Sequence, residues 1–333
     1  MPSNGNGSGN GSDSRQRSNN HLDYYELASY GSFGIGSEAV SEADVFSDKL
    51  DLFANLPIEK QMENFRESKI YPVAGLNDTG PYNFHLPAMN SYFLDAGSIR
   101  LEGEVAIFER AGDGTEKKLT AANNNLVPIN MLPAALFNSI EVSINGLMVS
   151  FISSPISNYK AYLETILSYN KLAADTHLAG CRFLMDEPGK FDARTSTASP
   201  NAAKRMAWFA NSNSVDFSMP LASDILRVDK YFMDRVALDI KLSRAPDEFL
   251  ITQPADDNKK YFVKIEKLSL SVRHIGLNST LVESINKSLD SGKRAKYPLI
   301  RTVLKTRVIQ KGESHTPIVD LFTGKETKLS VCL

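Results

Sequence analysis

Ile140-Glu141-Val142-Ser143-Ile144 is followed by Asn145-Gly146 and then by Leu147-Met148-Val149-Ser150-Phe151. Apolar side chains alternate on both sides of the dipeptide, which is the period of a strand with one buried face. Asn and Gly both tolerate positive φ, so the pair predicts a type I′ turn between two antiparallel strands. An antiparallel β-hairpin is therefore the first element of the fold, and the rest can be read outward from it.

Upstream, Ile99, Leu101, Gly103, Val105 and Ile107 alternate with Arg100, Glu102, Glu104 and Ala106, a second half-buried strand ended by Ala111-Gly112-Asp113-Gly114. Tyr82, Phe84 and Leu86 alternate with Asn83 and His85 just after the turn cluster Asn77-Asp78-Thr79-Gly80-Pro81. Downstream, strand patterns recur at Val215–Met219, at Val236, Leu238, Ile240 and Leu242, at Phe262–Val272 and again at Tyr297–Val308. Helical spacing interrupts them twice. Tyr159, Tyr162, Leu163, Ile166, Leu167 and Leu172 predict two short helices over Asn158–Leu178, broken near Tyr169-Asn170 and capped by Asn158, and Leu277–Leu289 predicts a third. Residues 186–205 are rich in Pro, Gly, Ser, Thr and Asn and predict a long exposed loop, with the lone Trp208 in a loop-like setting. No regular strand–helix alternation is present, which excludes a doubly wound α/β fold. The expectation is an all-β, antiparallel jelly-roll sandwich with inserted short helices.

Composition narrows the function classes. The 333 residues carry 37 Lys and Arg against 39 Asp and Glu, a net charge of −2, which excludes a surface that grips nucleic acid over its whole extent. Apolar residues reach 42%, enough for a real core. Cys181 and Cys332 cannot build a disulfide framework or a four-cysteine zinc site. No apolar run is long enough for an ordinary membrane span, and the Gly, Asn and Ser of residues 1–20 predict a flexible arm rather than a secretory signal. Residues 21–69 mix polar and apolar positions, with short helical patterns at Glu42–Phe53 and Ile58–Phe65, and predict a segment that drapes over the fold.

The motifs that usually carry chemistry are weak here. Gly34-Ile35-Gly36-Ser37-Glu38-Ala39 spells a dinucleotide fingerprint but lacks the strand and helix that make one work, and Gly292-Lys293-Arg294 lacks the upstream glycine of a phosphate loop. His21, His85, His177, His274 and His315 are far apart in the chain, so a metal site would need convergence that the spacing does not announce. Cys181 reads as a buried structural thiol rather than a nucleophile. Asp224, Asp229, Asp234 and Asp239 recur every five residues, which suits neither a helix nor a strand face, and predict solvated loop and strand-edge roles. Asn77-Asp78-Thr79 and Asn278-Ser279-Thr280 match glycosylation acceptors that mean little without a signal peptide. Lys287, Lys293, Arg294, Lys296, Arg301, Lys305, Arg307 and Lys311 form a basic run that either guards a strand edge or meets phosphates. No catalytic residue, cofactor site or metal site is expected.

The order of the segments resembles the major capsid protein (hexon) of Polinton/Maverick-type elements and adintovirus-like viruses, a double jelly-roll family. The matching stretches are NDTGP (Asn77–Pro81) with Tyr82–Leu86, LPAALFNSIEVSINGLMVS (Leu132–Ser150), YKAYLETILSY (Tyr159–Tyr169), FMDRVALDIKLSRAPDEFLI (Phe232–Ile251), YFVKIEKLSLSVRHIGL (Tyr261–Leu277), AKYPLIRTVLKT (Ala295–Thr306) and the C-terminal LFTGKETKLSVCL. The resemblance implies a non-enzymatic capsid subunit of a virion, assembled inside the host cell. Two jelly rolls would sit side by side in each chain, and three chains would form a pseudo-hexameric capsomer tiling an icosahedral shell. It further implies neighbouring capsomers and a penton-type minor capsid protein as partners, with weak genome contact through the N-terminal arm. On that mapping residues 1–69 are the arm and draping segment, 70–276 the first jelly roll, 277–296 a linker helix, and 297–333 the opening strands of a second roll. That last stretch has room for about two or three of the eight strands a roll needs, so the second roll is expected to be incomplete. Two other classes stand beside this one. A cellular jelly-roll carbohydrate- or ligand-binding module would need a concave face with exposed aromatics, and an enzyme would need Cys181 or a histidine cluster.

Overall fold

The hydrophobic alternation becomes two large antiparallel sheets and one two-stranded pair in the computed structural model, which describes residues 61–120, 126–150, 156–191, 193–302 and 304. In chain order the strands are β1 (Met62–Ile70), β2 (Tyr82–Leu86), β3 (Tyr92–Arg110), β4 (Glu116–Lys118), β5 (Val127–Pro128) and β6 (Phe137–Ile144). They continue with β7 (Leu147–Met148), β8 (Val215–Pro220), β9 (Leu238–Arg244), β10 (Ile251–Thr252) and β11 (Lys260–Leu277). The helices are α1 (Leu132–Ala135), α2 (Ser157–Ser168), α3 (Lys171–Asp175), α4 (Pro200–Trp208), α5 (Asp247–Leu250) and α6 (Ser279–Asp290).

One sheet runs β1-β11-β3-β8, with β4 sharing the far edge of β3, and the other runs β2-β9-β6-β7. Setting aside the short β4, β5 and β10, the remaining strands read in chain order as 1-8-3-6 in one sheet and 2-7-4-5 in the other. The chain thus crosses between sheets at nearly every connection, and each Greek-key return places a late strand beside an early one. That is the jelly roll, reached from strand pairing alone. The described part is an all-β sandwich with short helices inserted.

The inner faces follow the alternation. Tyr82, Phe84 and Leu86 on β2 meet Leu238, Ile240 and Leu242 on β9 within one sheet, and Leu101, Val105 and Ile107 on β3 with Val263, Leu268, Leu270 and Val272 on β11 line the other; all are buried. The long β3–β11 ladder shifts register between Ile265 and Lys267, a bulge that pushes the Lys267 carbonyl toward β3. Gly103 sits opposite it. A Cβ there would lie 2.4 Å from the Lys267 carbonyl oxygen and 2.9 Å from the Phe217 ring, so glycine is a packing requirement of the ladder. Arg244, at the end of β9, donates to Asp247 Oδ1 (2.6 Å), which also accepts from the Val263 N–H (3.1 Å), tying the two sheets together at one end.

Several expectations need correction. Ile58–Phe65 reads as helix, yet Met62–Ile70 is the edge strand β1, paired to β11 along its length; the sheet therefore starts before residue 70. No residue of β1 is buried, so the core-facing alternation that marks other strands is missing from it. Ala106, placed on the wet face of its strand, is buried in a small outer cluster with Phe108 and Phe262. The Asn145-Gly146 turn forms as expected, both residues at positive φ, but its second strand ends at Met148. Helices α2 and α3 break where expected, although Asn158 lies inside α2; the side-chain cap is made by Asn170, which accepts from the Ala173 N–H (3.1 Å) at the start of α3. Trp208 ends α4 rather than lying in a loop. Residues Tyr297–Thr302 and Leu304 are irregular, and the rest of the strand expected there lies outside the described residues, as do residues 1–60, the Glu42–Phe53 pattern and the Gly34–Ala39 motif.

Candidate functional site

Between β7 and β8 the chain leaves the sandwich and builds α2, α3 and α4. Ser199 caps α4 by accepting from the Asn201 N–H (3.3 Å), and Pro200 occupies its first turn, where a missing N–H costs nothing. The helix so started carries Arg205 inward. Arg205 is 4% exposed; its Nη1 meets Asp186 Oδ1 at 2.5 Å and its Nε donates to the Pro128 carbonyl at 3.1 Å. Asp186 Oδ2 accepts from Asn130 Nδ2 (2.7 Å), and Asn130 Oδ1 accepts from the Leu184 N–H (3.0 Å). Three segments distant in sequence are clamped by one buried ion pair with its oxygens occupied, the condition under which such a pair is tolerated away from water.

The pair forms the polar wall of a cleft of about 300 Å³ whose other walls include Met131, Tyr159, Tyr162 and Phe249. The Tyr159 and Phe249 rings lie 5.4 Å apart. Burial raises the Tyr162 hydroxyl above its ordinary pKa, and the negative charge of Asp186 adds to that. Charge in the cleft is balanced, both carboxylate oxygens are engaged, and its lining holds no Ser, Cys or His beside a base. Chemically the arrangement can hold three segments in place and shelter an apolar group.

The residues singled out in the sequence do not converge. His85 pairs with Asp239 at 2.6 Å on the solvent side of β2 and β9, His177 packs edge-on against Tyr169, and His274 is buried on β11; His21 and His315 lie outside the described residues. Asp224 pairs with Lys160 and Asp239 with His85, and among the described residues no group of three His, Cys, Asp or Glu could hold a metal ion. Burial pushes the Cys181 thiol pKa up, with Arg100 opposing weakly, so the thiolate is disfavoured there. Asn77 Oδ1 accepts from the Thr79 N–H (3.1 Å) and Asn278 caps α6 through the Thr280 N–H (2.9 Å), so both acceptor-like asparagines serve local turns. In the basic run, Lys287 pairs with Glu283, while Lys293, Arg294 and Lys296 line a concavity beside α6. No helix among the described residues is long and apolar enough to cross a membrane.

Sequence reasoning missed the Asp186–Arg205 clamp, because residues 186–205 look like a solvated loop. Ser199-Pro200 was the available signal, a cap followed by a proline in the first turn. The helical spacing over α2 did not say which face is buried. The helix buries Asn158, Ala161 and Thr165 and leaves Tyr159, Ile166 and Leu167 exposed, with Tyr169 and Leu172 beyond its end. Phe65 on β1 (68% exposed) and Leu147 at the hairpin (72%) are further outward apolar side chains.

No known protein-family description matches the chain. A curated relative, "Uncharacterized protein F54H12.2" of Caenorhabditis elegans, is 21% identical over 250 residues, which cover 74% of this chain and 57% of that one. The chain thus spans little more than half of that relative. Among solved structures, a chain of the Sputnik virophage cryo-EM structure superposes with a TM-score of 0.43 at 9% identity, over 74% of this chain and 54% of that one. The mavirus major capsid protein gives 0.39 at 16% identity over 74% and 53%, and the Faustovirus major capsid protein 0.40 at 10% over 72% and 58%.

Proposed function

We propose that this chain is a structural capsid subunit, hexon-like and without enzymatic activity. In this role it joins copies of itself into pseudo-hexameric trimers that tile an icosahedral virion shell, as in the Polinton/Maverick and adintovirus-like family it resembles. The observation that carries the proposal is the coincidence of resemblance and topology. The stretches Tyr82–Leu86, Leu132–Ser150, Phe232–Ile251 and Tyr261–Leu277 are the ones that become β2, α1 with β6 and β7, β9 with α5, and β11 of the jelly roll. A rigid strand-built block with variable insertions suits a subunit whose neighbours change but whose core does not.

The outward apolar side chains of α2, α3 and the β6–β7 hairpin are the surfaces such a subunit would bury against its neighbours. Residues 277–296, built around α6, would be the connector to a second roll. Neighbouring capsomers and a penton-type minor capsid protein complete the set of partners, with the N-terminal arm facing the packaged genome. Sedimentation and electron microscopy of the purified full chain test the proposal. Trimers or larger closed assemblies are expected, and a strict monomer across the micromolar range overturns it.

A further inference from the structure

Beside α6 lies a second concavity, of about 340 Å³, separate in its lining from the Asp186–Arg205 cleft. Its floor is apolar: Phe93, Met233, Ile285, Leu289 and Tyr297. Tyr297 is held by its ring contact with Phe232 at 5.1 Å, and burial raises its hydroxyl pKa. The rim is cationic. Lys230, Lys293, Arg294 and Lys296 line it and no carboxylate does.

The ordinary employments of such cations are absent or already filled. Among the described residues none of the four is in an ion pair, whereas Lys287 on the same helix has Glu283 at 3.1 Å. Cations after a helix often serve its terminal carbonyls. Here those carbonyls are satisfied by backbone: Ser291 N–H to Lys287, Lys293 N–H to Ser288 and Gly292 N–H to Leu289, at 2.9–3.2 Å. Lys230 Nζ donates to the Lys296 carbonyl (3.2 Å), which holds that charge at the mouth without neutralising it. Positive charge that no carboxylate among the described residues pairs with, set over apolar side chains, is the complement of one ligand type.

We propose that this concavity binds a small amphiphilic anion, a short apolar body carrying a phosphate or carboxylate. The body sits on Ile285, Leu289 and Tyr297, and the anionic group meets Lys293, Arg294 and Lys230. The volume is at the lower end of ligand pockets, which suits a single compact body rather than a polymer needing a continuous groove.

Calorimetric titration of the full chain with 1-naphthyl phosphate tests this, with 1-naphthol and inorganic phosphate as the two halves of the ligand. One site per chain is expected, bound more tightly than either half. The exposed pair Lys293→Glu with Arg294→Glu should weaken it by roughly tenfold or more, the scale of a lost charge-assisted contact, with the thermal midpoint unmoved. Ile285→Ser should weaken naphthyl phosphate and naphthol together. Decanoate below its micellar range separates the sources: binding tighter than the aryl phosphate points to a fatty-acid source, and the reverse order to a phosphorylated one. Equal binding of naphthol and naphthyl phosphate, or charge reversal without effect, overturns the proposal. So does oligothymidylate binding more tightly and losing affinity in the same variants, since that outcome assigns the rim to nucleic acid.

Discussion

On β3 and β11 the inward side chains are Leu101, Val105, Ile107, Val263, Leu270 and Val272; the insertion between β7 and β8 adds Leu178, Phe183, Met206 and Phe209 to the same core but also turns inward Asn158, Thr165, Asp186 and Arg205. Both regions exclude water, but by different means. The sandwich needs only area, since burying apolar surface is favourable wherever the pieces meet. The insertion needs particular partners at particular distances, because a buried charge without its counter-ion is far worse than none. The sandwich should therefore lose stability gradually as side chains are trimmed, and the insertion should fail at single positions.

Arg205→Ala is the sharpest way to break that contrast. Among the described residues it leaves Asp186 buried with only Asn130 as donor, and a loss of about 3–5 kcal/mol is expected. Urea denaturation should show helical circular dichroism falling at lower denaturant than the β signal. The paired replacement Arg205→Met with Asp186→Leu should recover much of the loss, because the cost lies in the unpaired charge. If the double variant is as unstable as the single one, shape rather than charge holds the insertion.

Leu101→Ala is the matching test in the sandwich. Leu101 has no exposed surface, and removing its side chain should cost about 2–5 kcal/mol. The loss should be the same in low and high salt and shared by all spectroscopic probes, since one core links both sheets. A salt-dependent loss, or one confined to the helices, would put the two regions on the same footing.

The same distinction explains what could be read from the sequence. Period-two alternation is a local signal, so β2, β3, β6, β8, β9 and β11 were all legible, and Asn145-Gly146 located their tightest turn. β1 was not, because a strand buried on neither face has no alternation to show. The clamp was not, because Asn130, Asp186 and Arg205 gain their meaning only from contacts made across long stretches of chain. The buried face of α2 was not legible either. Tyr162 packs on the core, yet Tyr159, Ile166 and Leu167 are exposed while Asn158 and Thr165 are buried, so apolarity alone does not pick out the inner face. The concavity beside α6 was half legible: the basic run was visible, its apolar floor was not.

His274 tests whether the sandwich has a polar weakness of its own. It is buried on β11, its Nδ1 has no hydrogen-bond partner among the described residues, and burial, aided by the positive charge of Arg66 across the ladder on β1, holds its pKa below the ordinary 6.5. The unfolded chain therefore binds this proton at a higher pH than the folded one. Stability is full above pH 6.5 and declines as the pH falls from there toward the depressed folded value. Urea midpoints between pH 8 and pH 5 should fall on the acid side, and His274→Gln should flatten that part of the profile whatever it does to the midpoint at pH 8. An unchanged slope in the variant would assign the acid sensitivity to carboxylates.

Glu116→Gln should have the smallest effect, and it shows why chemistry alone does not rank these contacts. Glu116 on β4 meets Lys264 on β11 at 2.7 Å, close to the separation within the Asp186–Arg205 pair. Its side chains are 41% and 36% exposed, however, against 7% and 5% for the clamp. Water and salt screen such a pair, and either partner left alone is simply hydrated. The expected loss is about 0–1 kcal/mol in low salt and should vanish near 1 M salt. Measured beside Arg205→Ala, it sets an exposed cation–carboxylate pair against a buried one of similar length. If Glu116→Gln cost as much as Arg205→Ala, screening would not be what separates the two regions, and the clamp would need an explanation in its geometry instead.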